Sequence, residues 1–338
     1  MSKNKNTQKN CRLGTVGGQA VLEGIMMKGK TSYSIAVRRE DGSVNVSTQT
    51  HTTVKNKCKL LRLPIIRGII GFAESMVLNF KTLSKSAEMY GSLDEVEPET
   101  NFEKWLTNKF GDKIMGIIMG ISMVIGVALS ICLFMLLPSY TVKGIEYIFG
   151  INLGIFKNGI EGFIKIAIFI GYILLVSLMK DIRRTFEYHG AEHKSIFCYE
   201  SGEELTVENV KKHGRFHPRC GTSFIFVVLI ISIFINSLPF ISWSNMALRL
   251  VAKLLMLPLI VGISFEFIIF AGKHDNIITK IFSYPGLLMQ RITTREPDDS
   301  QIEVAIIALK SALPDEFPDY VYSEADDLDE SAGNEVNE

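Results

Sequence analysis

Four of the six histidines in this chain fall within residues 189–217, whereas a uniform distribution would place fewer than one there. The first two, His189 and His193, are four residues apart, so on a helix they share one face. Two imidazoles at this spacing can bind one zinc ion, and the intervening Glu192 is then free to act as a base on water. This is the H-x-x-E-H arrangement of one class of zinc enzymes.

A second pair of candidate ligands follows in the segment His217-Pro-Arg-Cys220. Pro218 cannot continue a regular helix, which favours a tight loop that presents His217 and Cys220 together. If both join His189 and His193, the four residues fill a tetrahedral zinc site that is closed and structural. If three bind, the fourth position is open to water and catalysis becomes feasible.

Simpler interpretations of the same residues stay open. Histidines beside lysine and arginine at a membrane surface can pack against lipid headgroups or cap helix ends. Cys220 alone fits a buried, inert thiol as well as it fits a ligand.

Two further candidates lie near the last apolar segment of the chain. Glu266 stands inside that segment, where a carboxylate suggests a proton relay, a ligand or an ion site. The alternative is a structural ion pair with an arginine such as Arg183 or Arg184. His274 and Asp275 follow at the same end of the segment and could orient a ligand or bind a headgroup.

A glycine-rich stretch occupies residues 14–24 and departs from the patterns of phosphate-binding and dinucleotide-binding loops. Its glycines are better explained by a close approach between backbone segments. Gln19 and Glu23 are the polar side chains that this stretch offers to a site.

Four apolar blocks interrupt the chain and predict membrane-spanning helices. The second block is short, so Lys165 must reach the bilayer surface from within the helix, or residues 145–156 must supply part of it. The blocks are Ile114–Leu137, Ile166–Met179, Thr222–Phe240 and Leu254–Ala271.

The distribution of Lys and Arg predicts the orientation of these spans. Residues 180–221 hold eight of them, whereas residues 142–162 and 242–253 hold two each. Because cytoplasmic loops are enriched in positive charge, the middle loop and both termini are expected in the cytoplasm.

The formal net charge of zero conceals an uneven distribution. The chain has 36 Lys and Arg against 36 Asp and Glu, yet no basic residue follows Lys310, and ten acidic residues lie between Asp315 and Glu338. The basic residues follow the membrane topology and form no separate patch, so nucleic acid is not an expected partner. Five scattered cysteines suggest a reducing compartment or burial in the membrane, and not a disulfide framework.

These patterns predict an all-α polytopic membrane protein with about four transmembrane helices, cytoplasmic helical segments and a short N-terminal β-hairpin. The hairpin is expected within Ser34–Thr50, around Glu40-Asp41-Gly42. An amphipathic helix from Ile66 would lie at the membrane interface or pack in a bundle. The expected division is a cytoplasmic region over 1–113, a membrane domain over 114–271, a helical region over 272–313 and a disordered acidic tail over 314–338.

Several long motifs resemble those of the YqhQ-like family of bacterial membrane proteins. They are the segment Gly17–Gly29 (GGQAVLEGIMMKG), Glu187–Lys194 (EYHGAEHK), His217–Ser223 (HPRCGTS), and Thr293–Asp299 (TTREPDD) followed by Glu303–Ala305. Such proteins are described as predicted metal-dependent enzymes of unknown substrate, so the resemblance implies a metal without establishing a reaction. His213 lies just outside the second motif and is a weaker ligand candidate.

The leading hypothesis is a metal-dependent enzyme, hydrolytic in type, with its site on the cytoplasmic membrane face. A divalent metal of zinc type would be bound by His189, His193 and His217, with Cys220 as a fourth or exchangeable ligand. Glu192 would be the general base, and Glu187 is grouped with it as a second catalytic candidate. A lipid-linked or peptide substrate would suit the bilayer surface.

Two other functions stay open. One is a non-catalytic membrane scaffold or accessory factor with a structural metal site. The other is a small transporter that uses Glu266, for which four spans form a narrow pathway unless the protein is an oligomer.

Overall fold

The computed structural model describes residues 12–53, 59–91, 114–237, 246–273, 277–318 and 320. The chain divides into two units, one with residues 1–92, 175–227 and 261–338, the other with residues 93–174 and 228–260. The linear division expected from the sequence stays a prediction, and the expected acidic tail lies outside the described residues except for residues 314–318 and 320.

An antiparallel meander of four strands forms near the amino terminus, in the order β1-β2-β3-β4. The strands are β1 (Gly17–Val21), β2 (Gly24–Lys28), β3 (Ser32–Arg38) and β4 (Val44–Thr50). The predicted hairpin is confirmed as β3–β4 and the chain is mostly helical, but the sheet has four strands because the glycine-rich stretch forms a second hairpin. Four of the five residues of β2 are buried. A strand covered on both faces lacks the alternation by which strands are recognised.

The helices follow in chain order, with two 3₁₀ turns at Lys59–Arg62 and Gly154–Phe156. They are α1 (Ile66–Tyr90), α2 (Ile114–Ile131), α3 (Leu137–Phe149), α4 (Lys157–Val176), α5 (Lys180–Ser201), α6 (Val207–Lys211), α7 (Gly221–Asn236), α8 (Met246–Lys273), α9 (Ile277–Thr293) and α10 (Asp299–Ser311). A π-helical turn, Cys132–Leu136, joins α2 to α3.

The sheet separates two hydrophobic clusters in the first unit. On one face, Ile25, Met27 and Ala36 pack with residues of α5 and α10 such as Tyr188 and Ile302. On the other face, a cluster with Val21 and Ile35 packs against α1, whose buried contributors are Leu78 and Met89. The sheet therefore lies between α5 and α10 on one side and α1 on the other.

The connection from α9 to α10 crosses α5 at Gly190. A Cβ atom at this glycine would lie 2.0 Å from the carbonyl oxygen of Arg295. The backbone N–H of Arg295 also donates to the carbonyl of Phe186, at 2.8 Å. Glycine lowers the intrinsic stability of a helix, and here it is needed because another backbone passes directly over it.

Three helical segments are long and apolar enough to cross a membrane by length and composition: Gly120–Phe149, Lys157–Val176 and Leu250–Ala271. The described residues therefore contain three candidate spans and not the four that were expected. The expected third span corresponds to α7, an apolar helix of 16 residues that ends at Asn236. The expected second span corresponds to α4, which begins at Lys157, before the uncharged stretch. Helix α3 has already ended at Phe149 and is a separate helix.

Polar side chains pair inside the second unit. Lys253 of α8 donates to Glu161 of α4, and both side chains are buried. Ser139 of α3 also donates to Glu161, at 2.8 Å. Because an unpaired charge in a low-dielectric interior is costly, this pairing lets three apolar helices carry polar groups.

Gly190→Ala should destabilise the first unit by about 2 kcal/mol or more, because the added methyl group would overlap the Arg295 carbonyl. Thermal unfolding of the detergent-purified protein measures this. Gly17→Ala is the control, since a Cβ there meets nothing within 4 Å. Equal effects of the two substitutions would show that the crossing at Gly190 is not tight.

Candidate metal centre

Three of the four candidate ligands come together in the first unit. One ligand atom each from His189, His193 and Cys220 lies within 4.8 Å of the other two. The Nε2 atom of His189 lies 3.1 Å from Sγ of Cys220. Helix α5 presents the two histidines on one face, as their spacing predicts, and the loop before α7 supplies the cysteine.

Backbone carbonyls fix the orientation of both imidazoles. Nδ1 of His189 lies 2.8 Å from the carbonyl oxygen of Thr293, and Nδ1 of His193 lies 2.5 Å from that of Arg215. A carbonyl can only accept, so each neutral ring carries its proton on Nδ1 and directs the lone pair of Nε2 toward the other candidates. Carbonyl partners of this kind commonly orient histidines that bind metals.

Nε2 of His193 is a buried atom that has no hydrogen-bond partner among the described residues. Burial lowers the pKa of His193, and the nearby Cys220 thiol only partly offsets this effect. The imidazole is therefore neutral at pH 7, which is the form that binds a metal ion. Apart from the Cys220 thiol, no described donor faces this buried lone pair, and such an environment fits a metal cation.

Glu192 lies between these histidines on α5 and is buried against β1. A Cβ at Gly18 would lie 2.8 Å from Cγ of Glu192, so only glycine allows this approach. Burial raises the pKa of Glu192 to about 7, while the nearby His189 and the backbone N–H of Gly18 act in the opposite direction. The glycine-rich strand thus forms one wall beside the carboxyl group.

His217 is not part of the three-residue group. Its Nδ1 accepts the backbone N–H of Arg219, at 3.3 Å, so its Nε2 carries the proton. That Nε2 lies 3.6 Å from Oε2 of Glu200. Glu200 is buried and also accepts from the Arg219 guanidinium at 2.6 Å and from the Gly14 N–H at 2.8 Å. His217 therefore faces a carboxylate, although its ring centroid lies 5.6 Å from that of His193.

A buried glutamine of α9 anchors the loop that carries Cys220. Gln290 accepts from the His217 N–H and donates to the His217 carbonyl, each at 2.7 Å. It also donates to Oγ of Ser223, at 3.1 Å. One amide side chain thus holds both backbone groups of His217 and the first turn of α7.

Sequence reasoning did not identify Glu200, Gln290 or the carbonyls of Thr293 and Arg215. Glu200 could have been found, because it lies seven residues after His193 and so on the same face of one helix. The carbonyl contacts carry no side-chain signal, since any residue type supplies the same acceptor.

Two of the predicted site residues point away from the three-residue group. Glu187 accepts from Gln301 of α10 at 3.2 Å and lies 3.5 Å from the Arg183 guanidinium. Gln19 follows Gly18, which faces Glu192, so strand alternation turns Gln19 to the side of the sheet that α1 covers. Its Oε1 atom is buried and has no hydrogen-bond partner in the part of the chain that is described.

The other acidic candidates form ion pairs with arginine. Glu23, at the turn between β1 and β2, accepts from Arg184 at 2.6 and 2.5 Å. Glu266 accepts from Arg67 at 2.6 and 2.5 Å, so its arginine partner is Arg67 and not Arg183 or Arg184. His274 and Asp275 lie outside the described residues.

A second group of ligand-type residues, Cys198, Glu203 and His213, also has atoms within 4.8 Å of one another. Burial, followed by the charge of Glu203, raises the pKa of the Cys198 thiol to about 11. This thiol also contacts the Glu204 carbonyl, at 3.4 Å. Because the thiolate is the form that binds metals, this group is the poorer metal site.

The family model described as "Protein of unknown function (DUF1385)" matches residues 63–315, which include all three converging ligand candidates. The chain is also 37% identical over 300 residues to "Uncharacterized protein YqhQ" of Bacillus subtilis (strain 168), over 88% of this chain and 92% of that protein. No solved structure matches the chain. The resemblance seen in the motifs is confirmed, and neither description names a metal or a reaction. The chain belongs to the DUF1385 family of YqhQ-like proteins, whose function is unknown.

Proposed function

We propose that this protein is a metal-dependent hydrolytic enzyme of the bacterial inner membrane, with His189, His193 and Cys220 as ligands of a divalent, zinc-type ion. One observation carries the proposal. Two imidazoles, each held by a backbone carbonyl in the tautomer that leaves Nε2 bare, converge with a thiol.

The donor set favours zinc as the metal. Two imidazole nitrogens and one thiolate suit zinc better than magnesium or calcium, which prefer oxygen ligands. Three protein ligands are typical of catalytic zinc sites, and four of structural ones. Since His217 faces Glu200 at 3.6 Å, we assign it to the support of the site and not to the ligand set.

The bound ion would supply Lewis acidity, which polarises a substrate oxygen and makes water more acidic. Glu192 would then accept a proton from water through its carboxylate, held in place by the N–H of Gly18. Because Glu192 is adjacent to His193 on α5, the helix itself sets the position of base and ligand relative to each other. Glu187 has no part in this step, since it contacts Gln301 and Arg183.

The location follows from the apolar helices and the basic loop. We propose four spans, with α7 as the shortest, and both termini in the cytoplasm. Helix α5 and the Cys220 loop then lie at the cytoplasmic surface, where a lipid-linked or peptide substrate can reach them. A transporter that depends on Glu266 is less well supported, because Arg67 already binds this carboxylate through two contacts.

Purified protein should contain about one zinc-type ion per chain, and His193→Ala should lose it because one of three ligands is removed. Mass spectrometric metal analysis after dialysis measures the content. His213→Ala is the matched control and should keep the ion. His217→Ala should also keep it, whereas loss of the metal in that variant would indicate a closed four-ligand site and a structural role.

Glu192→Gln should keep the metal and the thermal stability but reduce turnover by about 10²- to 10⁴-fold, because a neutral amide cannot accept the proton. Wild type and variant are incubated with a bacterial membrane lipid extract and, separately, a peptide digest, and hydrolysis products are identified by mass spectrometry. Glu187→Gln serves as control and should retain activity. Equal product release by wild type and Glu192→Gln would exclude this mechanism.

The cytoplasmic orientation makes a separate prediction. Green fluorescent protein fused after Glu338 should fluoresce in bacteria, whereas alkaline phosphatase at the same place should be inactive. A cysteine inserted after Gly202 should react with a membrane-permeant maleimide and not with an impermeant one added to whole cells. Labelling of that cysteine from outside would show that the topology is the opposite of the one proposed. The candidate metal centre would then lie on the outer side of the membrane.

A further inference from the structure

The first turn of α1 packs directly on a candidate membrane span. A Cβ at Gly68 would lie 2.9 Å from the carbonyl oxygen of Gly262, and one at Gly262 would lie 2.8 Å from that of Ile65. Both glycines are therefore needed for the two helices to approach at backbone distance. Contacts of small residues of this kind are typical of helix packing within lipid.

Gly262 belongs to the candidate span Leu250–Ala271 and lies nine residues before its end. At 1.5 Å per residue, this is about 13 Å of helix. Since the hydrocarbon core of a bilayer is about 30 Å thick, the contact with Gly68 falls near the middle of that core. The start of α1 must reach a similar depth.

The side chains around this contact suit such a position. Leu60 and Leu63 are 59% and 47% exposed, so leucines project outward just before α1 begins. Phe72 packs on Phe224 of the apolar helix α7, with ring centroids 5.7 Å apart. The start of α1 is thus flanked by the parts of α7 and α8 that belong to its own unit, and Leu63 is exposed just before it.

The charge of Arg67 opposes burial in lipid, and an ion pair reduces this cost. Arg67 would be costly in hydrocarbon, but its guanidinium binds both oxygens of Glu266, at 2.6 and 2.5 Å. Each group neutralises the other, and the Ile65 N–H also donates to Glu266, at 3.3 Å. The ion pair therefore allows both helices to carry a charged residue at this depth.

We propose that residues 63–71 enter the bilayer beside α8, with lipid acyl chains covering the exposed Leu63, and that α1 then leaves the membrane to support the sheet. The second half of α1 buries Leu78 and Met89 against the sheet, so one helix joins the lipid phase to the unit that holds the candidate metal centre. The proposal does not depend on metal chemistry.

Lipid is the expected occupant because the exposed surface at Leu63 adjoins a candidate span. Leu63 lies just before α1, whose first turn packs on that span at the Gly68–Gly262 contact. A surface that adjoins a membrane span is covered by the same solvent as the span unless another protein intervenes.

Site-specific spin labelling of the full chain in lipid nanodiscs tests this. A ketone-bearing amino acid, labelled with a nitroxide, replaces Leu63, and power saturation compares its accessibility to oxygen and to a water-soluble nickel chelate. Leu255, 70% exposed within the span, is the lipid reference, and the exposed Glu208 of α6 is the aqueous reference.

The label at Leu63 should match Leu255, with oxygen severalfold more accessible than the nickel chelate. A nickel accessibility equal to that at Glu208 would place the segment in water and overturn the proposal. Protection from both reagents would show that protein covers the segment, which also overturns it.

A second variant tests the role of the glycine contact. Gly68→Leu should push α1 from α8 and shift the label at Leu63 toward the aqueous value. Ala73→Leu adds similar bulk on the exposed face of the same helix and should leave the label unchanged. An unchanged label in Gly68→Leu would contradict insertion through the Gly68–Gly262 contact.

Discussion

The hydrogen bonds from His189 and His193 to two backbone carbonyls are the interactions on which the candidate metal centre depends. Each bond selects one tautomer and directs Nε2 toward Cys220. Without them, two histidines at helical spacing could rotate, and either nitrogen could face the cysteine. The carbonyls come from Thr293 and Arg215. The C-terminal end of α9 and the loop before α7 must therefore both be held against α5.

Close backbone approach holds these parts together. The segment after α9 can cross α5 because residue 190 is glycine, and β1 can approach Glu192 because residue 18 is glycine. Gln290 then attaches the Cys220 loop to α9 through both backbone groups of His217. Lys194 is buried and pairs with Glu296, which adds a charged link between α5 and the crossing segment.

The helices of both units carry polar residues in pairs. Glu161 is paired with Lys253, and Glu266 with Arg67, which reduces the cost of placing charge among apolar helices. This pairing changes the interpretation of Glu266. An isolated carboxylate in a span suggests transport, whereas one that binds an arginine from α1 joins two helices.

The sequence by itself determined the family, the apolar helices, the β3–β4 hairpin and the face of α5 that carries both histidines. Each follows from local spacing or from long motifs, which do not require knowledge of distant contacts. The first hairpin was missed because β2 is buried on both faces and lacks alternation. The pairing of Glu23 with Arg184 was likewise invisible in the sequence, because the two residues are far apart in the chain.

Tertiary structure decided which candidates share a site. It brought Cys220 to the histidines, turned His217 toward Glu200, and placed Glu187 and Gln19 on other faces. These outcomes depend on carbonyl acceptors and on crossings at Gly18 and Gly190, between residues far apart in the chain. A backbone carbonyl is the same in every residue type. The sequence therefore does not indicate which carbonyl will accept a hydrogen bond from a histidine, and only the tertiary structure decides it.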